Sequence, residues 1–190
     1  MSEALKSQIN KWKQDPVAFV RDVLVDPETD KPFELYPAEE TFLREGFTLT
    51  PEGRLPYPEL VFSAPKKSGK TALAAICTIY TIVVLSGKFA EGYCVANDLD
   101  QSKGRVFQAV GRILGSSPLL TDSARVLTEK AEFPSTGATV TALPNDFKGA
   151  AGGNPNFTTF EMSSGLMSAK TLTVCGMKWF QYRRDAYQCV

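Results

Sequence analysis

A mixed α/β fold built on a mostly parallel sheet is what this sequence predicts, and three observations predict it. Short apolar runs alternate with stretches of helical spacing, in the order strand, loop, helix, strand, helix, strand. A glycine-bearing turn, "APKKSGKT", joins the first of those strands to the longest apolar helix. The balance is globular, with 43% hydrophobic and 22% charged residues in a chain of 190, the length of one ordinary domain.

The elements follow in order. Residues 3–13 carry mixed helical spacing. Asp15-Pro16 then reads as a cap followed by a residue suited to a first helical position, opening a helix over 17–24. "VDPETDKPFE", 25–34, reads as a loop, and Pro37 opens a further helix through Glu45. "TPEGRLPYPE", 50–59, is an exposed Pro/Gly-rich connection. Leu60-Val61-Phe62 is a buried strand, and 72–85 a long apolar helix, too short and too rich in Thr78, Tyr80 and Thr81 for a membrane span. "GYCVAN", 92–97, is a second strand. Asp98 reads as the cap of a helix in which Val106, Val110 and Ile113 recur at helical spacing. Short strands around Gly137 occupy 126–143. "GAAGGNPN", 149–156, is a flexible loop before the apolar run 157–160. The organisation is an N-terminal helical and loop region over 1–58, a core over 59–161 and a tail over 162–190.

Composition excludes several chemistries. The formal net charge is +0, so bulk charge does not make the chain a polyanion binder. No histidine is present, which removes His-assisted nucleophiles and His metal ligands. Cys77, Cys94, Cys175 and Cys189 form no CxxC pair, and Cys77 and Cys94 sit in apolar runs as buried free thiols. The polar N-terminus shows no signal peptide, and the expected location is the cytoplasm.

The turn carries the chemistry. A strand delivers the chain into a loop whose backbone N–H groups point at phosphate oxygens. Gly69 permits close approach, Lys70 reaches the β- and γ-phosphates, Thr71 offers a magnesium ligand, and the helix dipole favours the anion. The nucleotide-binding set is therefore Ala64, Pro65, Lys66, Lys67, Ser68, Gly69, Lys70 and Thr71, with ATP and Mg2+ as cofactors and a three-layer P-loop NTPase-type fold as the class. Ala64 stands where a first glycine is usual, a place an alanine fills at negative φ. Lys66 reads as solvated. Lys67 reads equally as solvated or as facing the γ-phosphate or DNA.

"SAPKKSGKTALAA", "YCVANDLDQSKGRVFQAV" and the "GGNPNF" approach to an acidic strand end resemble the N-terminal ATPase of the phage terminase large subunit, over roughly residues 32–161. That resemblance implies an ATP-driven motor threading double-stranded viral DNA into a capsid. Its implied partners are the portal protein and the terminase small subunit, in a bacterial host. A separate nuclease domain of the family is not matched here. An adenine-contacting Gln is implied near "LYPAEE", where this chain has Glu39 and Glu40, so no adenine contact is assigned.

After the apolar strand the resemblance implies Asp-Glu-Leu-Trp: an Asp holding magnesium through water and a Glu polarising the attacking water. Glu161 falls on the Asp, as a Walker B residue and magnesium ligand, and Met162 falls on the Glu. A thioether accepts no proton, so the chain is expected to bind nucleotide better than it hydrolyses it. A shifted reading frame accounts for the difference. Codons for residues 161–165 permit Asp-Glu-Leu-Trp when read two letters on, and the same shift in "VCGMKWF", 174–180, permits Leu-Trp-Asp-Glu-Met-Val. Residues 162–190 are accordingly expected to be an unstructured or aberrant tail of a truncated chain, with a short terminal helix or a programmed frameshift product as the alternatives.

Other functions stand beside this one: a non-catalytic prophage remnant that at most holds nucleotide, and an unrelated P-loop kinase, for which no arginine-bearing lid is visible. Arg105 and Arg112, seven apart, suit a DNA channel or, more commonly, an amphipathic surface helix. "KWFQYRR", 178–184, interleaves aromatic and basic residues within the tail.

Overall fold

The computed structural model describes residues 3–65, 67–96, 105–144, 155–163 and 169–176, the last two strand segments (from 161) by backbone alone. Two helices open the chain, α1 (Glu3–Gln14) and α2 (Pro16–Val23). The Asp15 carboxylate accepts the Val17 N–H at 3.0 Å, so the cap expected before Pro16 forms. The stretch expected to be a loop holds a short antiparallel ladder, β1 (Val25–Asp26) with β2 (Lys31–Pro32). Asp30 closes its turn at φ 54, a backbone region Asp tolerates. Then come α3 (Pro37–Phe47), β3 (Glu59–Pro65) and α4 (Lys70–Tyr80).

The apolar helix expected over 72–85 changes character at its end. Residues Thr81–Leu85 form a π-helical turn, where four β-branched residues run together and the buried Thr81 hydroxyl has no partner among the described residues. Beyond it lie β4 (Glu91–Ala96), α5 (Val106–Ser116), α6 (Pro118–Thr121), β5 (Arg125–Val126), β6 (Lys130–Phe133), β7 (Ala138–Pro144), β8 (Phe157–Ser163) and β9 (Ala169–Gly176). The cap expected at Asp98 lies outside the described residues, as do most of the 149–156 loop and "KWFQYRR".

One seven-stranded sheet runs β3-β9-β8-β4-β7-β6-β5. Its centre is parallel, β4 pairing with β7 on one side and β8 on the other. Strand β9 is antiparallel to both β3 and β8, so β3 points the same way as the parallel centre. The sheet is thus mixed: five of its seven strands point the same way, although only the two central pairings are parallel. Strand β9 falls inside the stretch expected to be an unstructured tail. Its β-branched Thr171, Thr173 and Val174 suit extended backbone, and the gap between β3 and β8 offers partners on both edges. The pairing says nothing of the reading frame that encodes it.

The core is continuous across the N-terminal region and the sheet. Val17, Phe19, Leu43 and Phe47 belong to the same buried cluster as Leu73, Ile76, Tyr80 and Phe157. Close approach is enforced at Gly46, where an added Cβ would lie 2.6 Å from a methyl of Leu60, seating α3 on β3. Inside the core, the Thr78 hydroxyl donates to Ala74 O at 2.9 Å and lies 2.8 Å from the Thr159 hydroxyl, linking α4 to β8. The Cys77 and Cys94 thiols are free and buried, and burial pushes Cys94 up to about 12, leaving both neutral.

Tyr80 ties α1 to α4 by donating its buried hydroxyl to Trp12 O at 2.8 Å. Tyr80→Phe keeps the ring and strands that carbonyl. The expected cost is about 0.5–1.5 kcal/mol of unfolding free energy, read as a shift of the urea midpoint at constant slope.

Candidate functional site

Strand β3 runs at the sheet edge and ends on Ala64 and Pro65; Pro65 lacks a donor and cannot prolong a ladder inward. The chain then turns tightly. Lys67 takes φ 63 and Gly69 takes φ 76, and Gly69 caps α4. Two left-handed residues in three place the N-terminus of α4 against the end of the strand. The first-turn N–H groups of α4 have no partner within their helix, which leaves them for an outside acceptor.

Lys70 is the first residue of α4 and is 8% exposed. Its amine donates to Ala64 O at 2.6 Å, to Pro65 O, and to Ser68 Oγ at 3.2 Å. The ammonium therefore sits within the curl of the loop, drawn there by carbonyls at the strand end. An anion on the loop competes for its three donors.

Around the loop opens a cleft of ≈ 1420 Å³. Lys67, Ser68, Gly69, Lys70 and Thr71 line it. Arg105, Gln108 and Arg112 of α5 and its start line it too, as do Asp26, Glu28 and Glu34 around the small ladder. The two arginines, seven apart, thus face the same space as the loop. Ala64 and Pro65 reach the site through their carbonyls, and Lys66 lies outside the described residues.

Glu161 stands on β8, opposite Ala96 on β4 and Leu172 on β9. Leu172 also pairs with Phe62, so Glu161 is level with a point two residues before Ala64. The acid and the loop thus occupy the same end of the sheet, the carboxyl end of its parallel strands, where α/β folds place ligands. No group of three or more metal-ligating side chains occurs among the described residues.

Sequence reasoning assigned no role to Glu39. The residue is 7% exposed and lines the cleft. Oε2 accepts the Tyr36 N–H at 2.9 Å, completing a capping box on α3. Oε1 faces Gly69, 3.3 Å from where a Cβ there would sit. Burial holds the carboxyl above its ordinary 4.5, the Tyr36 hydrogen bond opposing that shift. Its neighbour Glu40 points outward to Arg21 and Arg44. The signal that distinguishes the two is the Pro37 helix start, which puts position 39 at the capping-box site.

The set fits a polyphosphate. Helix-start amides and an ammonium supply donors and positive charge, and a glycine at positive φ keeps the loop open. No described helix is long and apolar enough to cross a membrane.

No protein-family model matches this chain, and no curated protein matches it. Among solved structures, the crystal structure of the HK97 bacteriophage large terminase is similar, with a TM-score of 0.59 and 17% sequence identity over 70% of this chain. The similarity spans 27% of that chain. At this identity the likeness is one of fold, a terminase-like arrangement of helices about a mostly parallel sheet.

Proposed function

We propose that this chain is the nucleotide-binding ATPase region of a phage terminase large subunit. Residues 64–71 hold the triphosphate of ATP, Thr71 and Glu161 serve Mg2+, and in the complete motor hydrolysis drives double-stranded DNA through the portal with the small subunit. The observation that supports this best is the Lys70 ammonium held inside a strand-to-helix loop at the carboxyl end of the sheet. The terminase-like fold agrees with it. Bound ATP would supply the phosphoanhydride whose cleavage drives such a motor. The chain's own part is to hold the phosphates and orient them.

Titration with a fluorescent ATP analogue in the presence of magnesium tests the reading, with saturable binding as the expected result. A second reading, a nucleotide-holding remnant without turnover, is favoured by Met162, which stands where the resemblance implies the water-polarising Glu. Phosphate release from saturating MgATP is therefore expected near the protein-free background while binding persists. Robust turnover would show that another group activates the water. Sequencing the encoding DNA tests the shifted frame, through the presence or absence of a continuing frame with nuclease motifs.

A further inference from the structure

Glu39 is a buried residue whose carboxylate is set against a loop whose other features attract anions. Its burial is above nine-tenths, Oε2 is committed to the Tyr36 N–H, and Oε1 accepts no hydrogen bond among the described residues. That free oxygen faces Gly69, the residue capping the helix start. The groups lining the same cleft are Asp26, Glu28 and Glu34 from the small ladder, Lys67 and Lys70 from the loop, and Arg105 and Arg112 from α5. Cys77 on α4 also senses the Glu39 charge, but its thiol stays neutral. On α3 itself, Glu40 is engaged outward with Arg44.

From this placement we infer that Glu39 is an electrostatic brake on the site, its charge opposing a polyphosphate on the loop and its neutralisation tightening binding. The inference rests on the phosphate-loop reading above. A unit charge a few ångströms from an anion is a large term at an effective dielectric of roughly 20, reduced here by the loop cations and by salt. The opposition is present when the carboxyl is ionised. Affinity is therefore highest below its raised pKa and falls as pH rises through it.

The test compares wild type with Glu39→Gln, using MgATP and inorganic tripolyphosphate as probes. Glutamine keeps an acceptor for the Tyr36 N–H and suits this position of a capping box, so the fold is expected to survive. The variant is expected to bind both probes about tenfold more tightly at pH 8, the order left after screening. Its affinity is expected to show a shallower pH dependence than that of the wild type, a comparison in which the probes' own protonation cancels. Equal affinities and equal pH slopes overturn the inference and leave the phosphate-loop reading intact. Weaker ATP binding with unchanged tripolyphosphate binding also overturns it, since the carboxylate then reads the base. Failure of both proteins to bind either probe overturns the phosphate-loop reading and the inference with it.

Discussion

Lys70→Ala is expected to weaken MgATP binding by about ten- to a hundredfold, with the fold retained. A hydrogen bond to a charged group contributes about 1.5–3 kcal/mol, and each 1.4 kcal/mol is about a factor of ten in affinity. The wild-type ammonium already lies inside the loop, where Ala64 O, Pro65 O and Ser68 Oγ accept its protons. A phosphate entering the curl takes over those donors with little rearrangement of the side chain. Removing the amine leaves Ala64 O and Pro65 O converging on the space the anion needs, so their partial negative charge adds to the loss. Lys70→Arg is not expected to restore binding, because the planar guanidinium fork does not fit a pocket closed by three acceptors around one nitrogen. Lys67→Ala is the control: Lys67 lines the same cleft but its amine makes no hydrogen bond to the loop's acceptors among the described residues, and a smaller loss is expected. Binding curves for wild type and the three variants, with circular dichroism to verify folding, decide it. Unchanged affinity in Lys70→Ala would remove the loop from the site.

Why the loop was legible and its surroundings were not has a physical reason. The loop's shape is written in local backbone demands. A strand end, a glycine at positive φ, a lysine at the helix start and an apolar helix must follow one another within a dozen residues, and "FSAPKKSGKTALAA" shows them in order. The α/β alternation was legible for the same reason, each element being declared by its own periodicity. The walls of the cleft are assembled from far apart. Glu34, Glu39, Arg105 and Arg112 line it together although they lie on different elements, and the one local sign that Glu39 rather than Glu40 turns inward is its place at the capping-box position after Pro37. Strand β9 was missed because its place is decided by the gap between β3 and β8, a property of the sheet and not of the segment. The short ladder β1–β2 was missed because two-residue strands carry no period.

Phe47→Ala carries the largest expected effect on stability, about 3–5 kcal/mol, the range for emptying a buried aromatic site. Phe47 is fully buried at the end of α3. Its ring meets Tyr80 of α4 at 6.0 Å and 82°, Phe157 of β8 at 6.0 Å and 54°, and Phe42 of its own helix at 6.4 Å and 66°. Three elements therefore converge on one side chain: the helix that carries Glu39, the helix that begins at Lys70, and the strand that leads to Glu161. The ring cannot be replaced by local collapse. Gly46 already holds α3 hard against Leu60, and the facing Tyr80 is pinned through its hydroxyl to Trp12. A cavity is the expected outcome, with loss of transfer free energy added to loss of packing contacts. Urea unfolding checks this as a lowered midpoint at unchanged slope. Phe47→Leu, which keeps most of the volume, is expected to lose less than half as much. Because the same ring sets the position of α3 over the loop, Phe47→Ala is also expected to blunt the affinity gain of Glu39→Gln when the two are combined, a coupling that independent sites would not show. A cost below about 1 kcal/mol for Phe47→Ala would mean that the site closes up on its own, and that α3 is held over the loop before α4 by the Glu40–Arg21 ion pair rather than by this aromatic junction.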